Sequence, residues 1–168
     1  MATSASGFHG PYGGSAGFSV PYEVRPSTLG GSGLFATRKI PQGTLIWEAS
    51  EDNCNYYKTE QEVREHLDKL THEEVLDFLE HAYCGEFGVI DILDDGRYWN
   101  HSKTPNTGGP PAGEEDTAPV EATWAVRDIQ EGEELLDNYI AYEIFDWYER
   151  ICDEYDTESL AIIGEKFD

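Results

Sequence analysis

The chain has 168 residues, with 34 Asp or Glu against 11 Lys or Arg, for a formal charge of −23 at pH 7. A field of that sign repels phosphate, which excludes a nucleic-acid grip or an anionic membrane surface, and it attracts and speeds the arrival of a basic partner. An apolar fraction of 39% with ten Tyr, seven Phe and four Trp is too rich for full disorder, and no run approaches the roughly 20 apolar residues of a membrane span, so one folded domain with a tail is expected.

Residues 1–20 are Gly, Ser and Ala with scattered aromatics and show neither helical nor strand periodicity; a mobile tail is expected there. Strand-like text follows from Val24 to Glu48, broken by turn signals at Leu29-Gly30-Gly31-Ser32-Gly33 and Pro41-Gln42-Gly43. Short strands are predicted near 22–25, 33–38 and 44–48. The character then changes. Thr59-Glu60-Gln61-Glu62 and Thr71-His72-Glu73-Glu74 both fit the capping box, in which a Thr and a Glu three residues on satisfy free amides. Behind them Val63, Leu67 and Leu70, then Val75, Phe78, Leu79 and Ala82, recur at helical spacing. Two short helices are therefore expected within an insert spanning about 52–92.

Strand chemistry returns at 87–93, the Gly- and Pro-rich stretch 108–119 is an exposed loop, and a further strand is predicted at 120–127. Ile144, Trp147, Tyr148, Ile151 and Tyr155 repeat at helical spacing, which predicts an amphipathic helix within 144–168 packing on the domain. The cysteines Cys54, Cys84 and Cys152 are far apart and form no Cys-x-x-Cys pair. No metal site or disulfide is expected, the thiols read as buried, and a reducing intracellular compartment, cytoplasmic or nuclear, is the simpler expectation. The first residues have neither a basic start nor an apolar core, so no secretory signal is read there.

Three stretches carry more than structure: Gly31-Ser32-Gly33-Leu34-Phe35-Ala36, Arg97-Tyr98-Trp99-Asn100-His101-Ser102 followed by Pro105-Asn106, and Ala125-Val126-Arg127-Asp128-Ile129 running on through Gly132-Glu133-Glu134-Leu135 to Tyr139. Alone, the glycines fit a turn between strands, Asn-His-Ser is good turn chemistry, and a tyrosine at a strand end is an ordinary core residue. In this order and spacing they resemble the SET domain, the protein-lysine methyltransferase family, over about residues 22–142.

The resemblance implies an α+β, mostly β fold of small twisted sheets over 21–143, with a pseudoknot in which the third stretch passes under the loop around Asn100-His101. It implies S-adenosyl-L-methionine as methyl donor, held by Gly31, Ser32, Gly33, Leu34, Tyr98, Asn100 and the main chain of His101. Tyr139 matches the catalytic tyrosine, with Asp137 and Tyr142 beside a channel for the acceptor lysine. The acceptor implied is a basic protein or peptide, a histone tail among the possibilities, and the enzyme is expected to act as a monomer. The chemistry is an in-line displacement by a neutral amine on a sulfonium methyl, which needs alignment and exclusion of water and no metal.

The chain departs from the family pattern in two places. Asp137 stands where relatives carry Tyr or Phe, and the cysteine-rich zinc segment that often follows the domain is missing, with Lys103 where many relatives carry a cysteine. These departures motivate an alternative, a SET-like interaction module that has lost turnover.

Overall fold

The computed structural model describes residues 13–167. A hairpin opens the domain. β1 (Tyr22–Pro26) pairs antiparallel with β2 (Ser32–Ala36). The turn between them closes through Ser27 N–H to the Gly31 carbonyl, and Gly30 and Gly31 take positive φ of 117° and 59°, a backbone that side chains other than glycine adopt only with strain.

β3 (Leu45–Glu48) pairs antiparallel with β9 (Ala122–Ala125), whose other edge takes β8 (Thr107–Gly108). A third sheet orders β4 (Cys54–Tyr57), β6 (Gly88–Ile92) and β5 (Tyr83–Gly85), with β6 central. These strands frame the insert. Both capping boxes form as the sequence predicts: Thr59 caps α1 (Glu60–Leu67), Thr71 caps α2 (His72–His81), and Glu62 and Glu74 reach back to the cap amides. Each cap contributes about 1 kcal/mol.

The apolar faces of α1 and α2 form one core with Tyr148, Ile151 and Cys152, while Leu34, Ile46, Trp47, Ile90, Ile129 and Leu135 form a second core between the sheets. Cys54, Cys84 and Cys152 are buried and free, as read from the sequence, and burial pushes each thiol up to about 12.

The threading of the third motif is explicit in the hydrogen bonds. β7 (Asn100–His101) pairs parallel with β10 (Leu136–Asp137). On that side Asn106 brackets the incoming chain, its Nδ2 donating to the Glu134 carbonyl at 2.7 Å and its Oδ1 accepting from Leu136 N–H at 2.8 Å. On the other side Leu135 N–H donates to the Leu34 carbonyl at 2.7 Å. Residues 134–137 therefore run between β2 and the 100–107 loop, the pseudoknot of the SET-like fold expected above.

Two expectations need correction. Residues 1–12 of the expected tail lie outside the described residues, but 13–20 pack as part of the domain. Gly17 N–H donates to Asp94 Oδ2 at 2.8 Å, Ser19 N–H to the Ile46 carbonyl at 2.9 Å, and the Phe18 ring stacks on Trp99 at 5.6 Å. All these partners are distant in sequence, so local periodicity carried no sign of them. The single C-terminal helix is in fact two, α3 (Asp146–Glu154) and α4 (Leu160–Lys166). Asp156 at φ 55° breaks the first, and the Ser159 side chain, accepting from Ile162 N–H, starts the second. α4 packs against the turn at Tyr139–Ala141 and so buttresses the end of the third motif. Among the described residues, no helix is long and apolar enough to cross a membrane, and no group of three His, Cys, Asp or Glu is arranged to hold a metal ion.

Candidate active site

The pseudoknot brings the three motifs to one place. Asn100 Nδ2 donates to the Ser32 carbonyl at 3.0 Å and to Glu134 Oε1 at 2.7 Å, so a residue of each motif meets at this amide. Ser27 Oγ holds the other carboxylate oxygen of Glu134 at 2.9 Å. Gly33 is buried against the same group: a Cβ there would stand 2.1 Å from Glu134 Oε1 and 3.1 Å from Asn100 Nδ2. With both amide hydrogens engaged, Asn100 has its carbonyl oxygen to offer a ligand, an acceptor suited to an ammonium.

Tyr139 is buried, donates its hydroxyl to the Trp99 carbonyl, and its N–H donates to His101 Nδ1 at 3.1 Å. Burial, then the charges of Asp137 and Glu134, push the phenol well above its ordinary range, so it stays a neutral hydroxyl. Its ring stacks on Tyr142 at 5.4 Å, and Tyr142 lies 4.7 Å from Tyr83. Asp137 Oδ2 accepts from the Tyr142 hydroxyl at 2.9 Å. Burial raises the Asp137 carboxyl, and the Asn138 amide, the Tyr142 hydroxyl and His101 oppose that shift.

Two cavities flank this cluster. One, of about 220 Å³, is lined by Gly30, Gly31, Ser32, Tyr98, Asn100 and Tyr139. The other, of about 380 Å³, is lined by Asp137, Glu121, Glu86, Glu143 and the end of β9. Tyr83, Trp99 and Tyr142 belong to both linings, so an aromatic wall separates them. The first cavity combines small residues, the Asn100 amide and aromatic faces with Glu80, His81 and Arg97 at its insert side, and the second combines apolar and aromatic residues with four carboxylates. Among the described residues no lysine, arginine or histidine lines the second.

Gly31, Ser32, Tyr98, Asn100, Tyr139 and Tyr142 thus share the first cavity, and Asp137 faces the second with Tyr142. Gly33, Leu34 and His101 stand behind the first: Leu34 is fully buried in the core and His101 props Tyr139. Sequence reasoning did not single out Glu134, Trp99, Tyr83 or Glu121. Glu134 and Trp99 lie inside the quoted motifs and could have been weighed, whereas nothing local marks Tyr83 or Glu121. Arg97 is likewise more than a motif letter: its guanidinium reaches Asp77 on α2 at 2.6 Å and ties the helical insert to the first cavity.

A model of the SET domain matches residues 31–140, which hold all three motifs. The chain belongs to the SET-domain family. Members of that family generally methylate lysine side chains. The fold is similar to that in the structure of ctPRC2 in complex with H3K27me3 and H3K27M, at a TM-score of 0.50 and 23% identity, over 71% of this chain and 14% of that one. A crystal structure of a Plasmodium falciparum candidate histone methyltransferase aligns at a TM-score of 0.46 and 18% identity, over 71% of this chain and 92% of that one. No curated protein sequence matches the chain. Within this SET domain the first cavity lies beside the glycine turn and the asparagine loop, and Tyr139 stands at its inner end.

Proposed function

We propose that this SET domain transfers a methyl group from S-adenosyl-L-methionine to a lysine side chain of a basic protein segment. The observation that carries the reading is the pair of cavities meeting at Tyr83, Trp99 and Tyr142, with Tyr139 in the first lining stacked on the shared Tyr142. In-line displacement needs donor and acceptor to approach one carbon from opposite sides, and two cavities sharing one thin wall suit that demand.

The residues present fit the donor. Gly30 and Gly31 let main chain approach a ligand without Cβ atoms, the Asn100 carbonyl suits the ammonium, and the faces of Trp99, Tyr139 and Tyr142 suit a sulfonium cation. When bound, S-adenosyl-L-methionine supplies an electrophilic methyl group. The chain's own part is alignment: the Tyr139 hydroxyl, kept neutral and held by the Trp99 carbonyl, presents oxygen lone pairs to the reacting region. Main-chain carbonyls nearby can hold the methyl by weak C–H···O contacts. The acceptor cavity, walled by Glu86, Glu121, Asp137 and Glu143, favours a cationic side chain, and the formal charge of −23 favours a basic segment around it. A lysine-rich histone tail has that chemistry.

The test is transfer of label from methyl-labelled S-adenosyl-L-methionine to a panel of basic proteins, histones included, by wild type and Tyr139→Phe. Calorimetry with the donor runs alongside. Wild type should label and Tyr139→Phe should fall on the order of 10²-fold while still binding the donor. Donor binding with no labelling of any acceptor, or equal labelling by both proteins, would overturn the reading.

A further inference from the structure

We propose that Asp137 receives the proton of the acceptor's ammonium group, which makes it a catalytic residue of this chain. The inference rests on the methyl-transfer reading above and goes beyond it, because alignment by Tyr139 does not say where that proton goes. An ammonium has no lone pair and cannot attack a methyl group until one N–H bond breaks.

Asp137 is placed for this. It sits on β10, cross-strand from His101, and lines the acceptor cavity together with Tyr142. Its Oδ2 accepts from the Tyr142 hydroxyl at 2.9 Å and its Oδ1 from Asn138 N–H at 2.8 Å. Each carboxylate oxygen has two acceptor positions, so these two bonds fix the group and still leave lone pairs for a substrate. Tyr142 lines the donor cavity as well, and its ring stacks on Tyr139. The carboxylate therefore stands at the acceptor end of the wall that the nitrogen must cross to reach the methyl.

Around Asp137, His101 faces it from β7, the phenols of Tyr139 and Tyr142 from the turn at 139–142, and Glu121, Glu86 and Glu143 share the cavity lining. With no Lys, Arg or His among the described residues of that lining, an entering ammonium is the cation that complements the carboxylate. Burial raises the carboxyl and so strengthens it as a base, in the direction that favours proton transfer near neutral pH.

In the step, the N–H bond breaks, its electron pair stays on nitrogen as the attacking lone pair, and an O–H bond forms on Asp137. The carboxyl later returns the proton to water at the cavity mouth. No oxidant, reductant or further reactant is required.

Two measurements test the assignment. The first uses no donor: the carboxyl ¹³C signal of Asp137, identified by its loss in Asp137→Asn, is titrated with pH with and without saturating n-butylammonium as a mimic of the lysine side chain. The titration midpoint should fall when the amine is bound, and an unmoved midpoint overturns the proposal. The second is the pH profile of methylation of the acceptor found by labelling. Asp137→Asn should be slower by about 10²-fold near pH 7 and recover as rising pH deprotonates the amine without help, and Asp137→Glu should restore part of the rate. A merely structural role predicts the same loss at every pH and would overturn the proposal. If Asp137→Asn does not fold, Tyr142→Phe serves: loss of its hydroxyl should move the acid limb of the profile to higher pH, and an unmoved limb counts against Asp137. Wild type that labels with an unshifted Asp137→Asn profile refutes the proton role alone, whereas wild type that never labels refutes the methyl-transfer reading.

Discussion

Substituting Gly33 by Ala probes the junction of the three motifs directly. The Gly33 backbone is not left-handed, so the cost is that of the collision itself. The new Cβ would stand 2.1 Å from Glu134 Oε1 and 2.9 Å from its Cδ, and the end of the Glu134 side chain must swing aside. In doing so it gives up the 2.7 Å bond from Asn100 Nδ2 and the 2.9 Å bond from Ser27 Oγ. Hydrogen bonds to a charged group contribute about 1.5–3 kcal/mol each when well buried; these are partly exposed, so a loss of about 2–4 kcal/mol in all is expected. For a domain of this size that lowers Tm by roughly 5–15 °C.

Asn100 also loses its orienting partner, so affinity for S-adenosyl-L-methionine should fall at least about tenfold, equivalent to about 1.4 kcal/mol. The assay is urea denaturation and donor calorimetry on wild type, Gly33→Ala, Glu134→Ala and the double variant. Once Glu134 is truncated the collision is gone, so Gly33→Ala should cost almost nothing in that background. Fully additive losses would refute the reasoning, because the two sites would then act independently.

Two further outcomes follow from buried carboxylates. Asp94 accepts from Gly17 N–H, Trp47 Nε1, Asn53 Nδ2 and Gly96 N–H, so Asp94→Ala strands four donors at about 1–3 kcal/mol each; a loss above about 4 kcal/mol in urea denaturation is expected, and a loss under about 1 kcal/mol would contradict the assignment. Burial lifts the Asp91 carboxyl from 3.8 to about 7 against the opposing charge of Arg97. The folded state therefore holds this proton more tightly than the unfolded one, and the group's contribution to stability is present below about pH 4 and lost as pH rises through about 7. Asp91→Asn should gain on wild type by about 3 kcal/mol between pH 5 and pH 8, read from denaturation curves at both pH values, and a pH-independent difference would exclude a raised Asp91.

Much of this molecule is legible along the chain because its causes are local. The Thr59 and Thr71 capping boxes, the apolar stripes behind them and the glycine turn at 30–31 are written within a few residues of the structure they produce. The three motifs identify the family because their residues and order match the SET domain over residues 31–140. Two-residue strands such as β7, β8 and β10 have no periodicity to read; β7 and β10 are strands because the pseudoknot lays them side by side, and β8 because it meets the edge of β9. The packing of 13–20 escaped for the same reason, since Phe18 is explained by Trp99 and Gly17 by Asp94. The break between α3 and α4 was within reach, as Ser159 is a good cap, but the apolar spacing through Tyr155 masked it.

Which residues line the first cavity and which the second was decided by tertiary structure. The sequence by itself determined the two insert helices, the glycine turn at 30–31 and the family, all of which depend on neighbours in the chain or on the motif alphabet. Only the fold decided that Glu134 holds Asn100, that His101 props Tyr139 instead of lining a cavity, and that Asp137 lines the second cavity with Tyr142. The physical reason is that a hydrogen bond reads distance in space: threading residues 134–137 between β2 and the 100–107 loop sets those distances, and no local pattern encodes them.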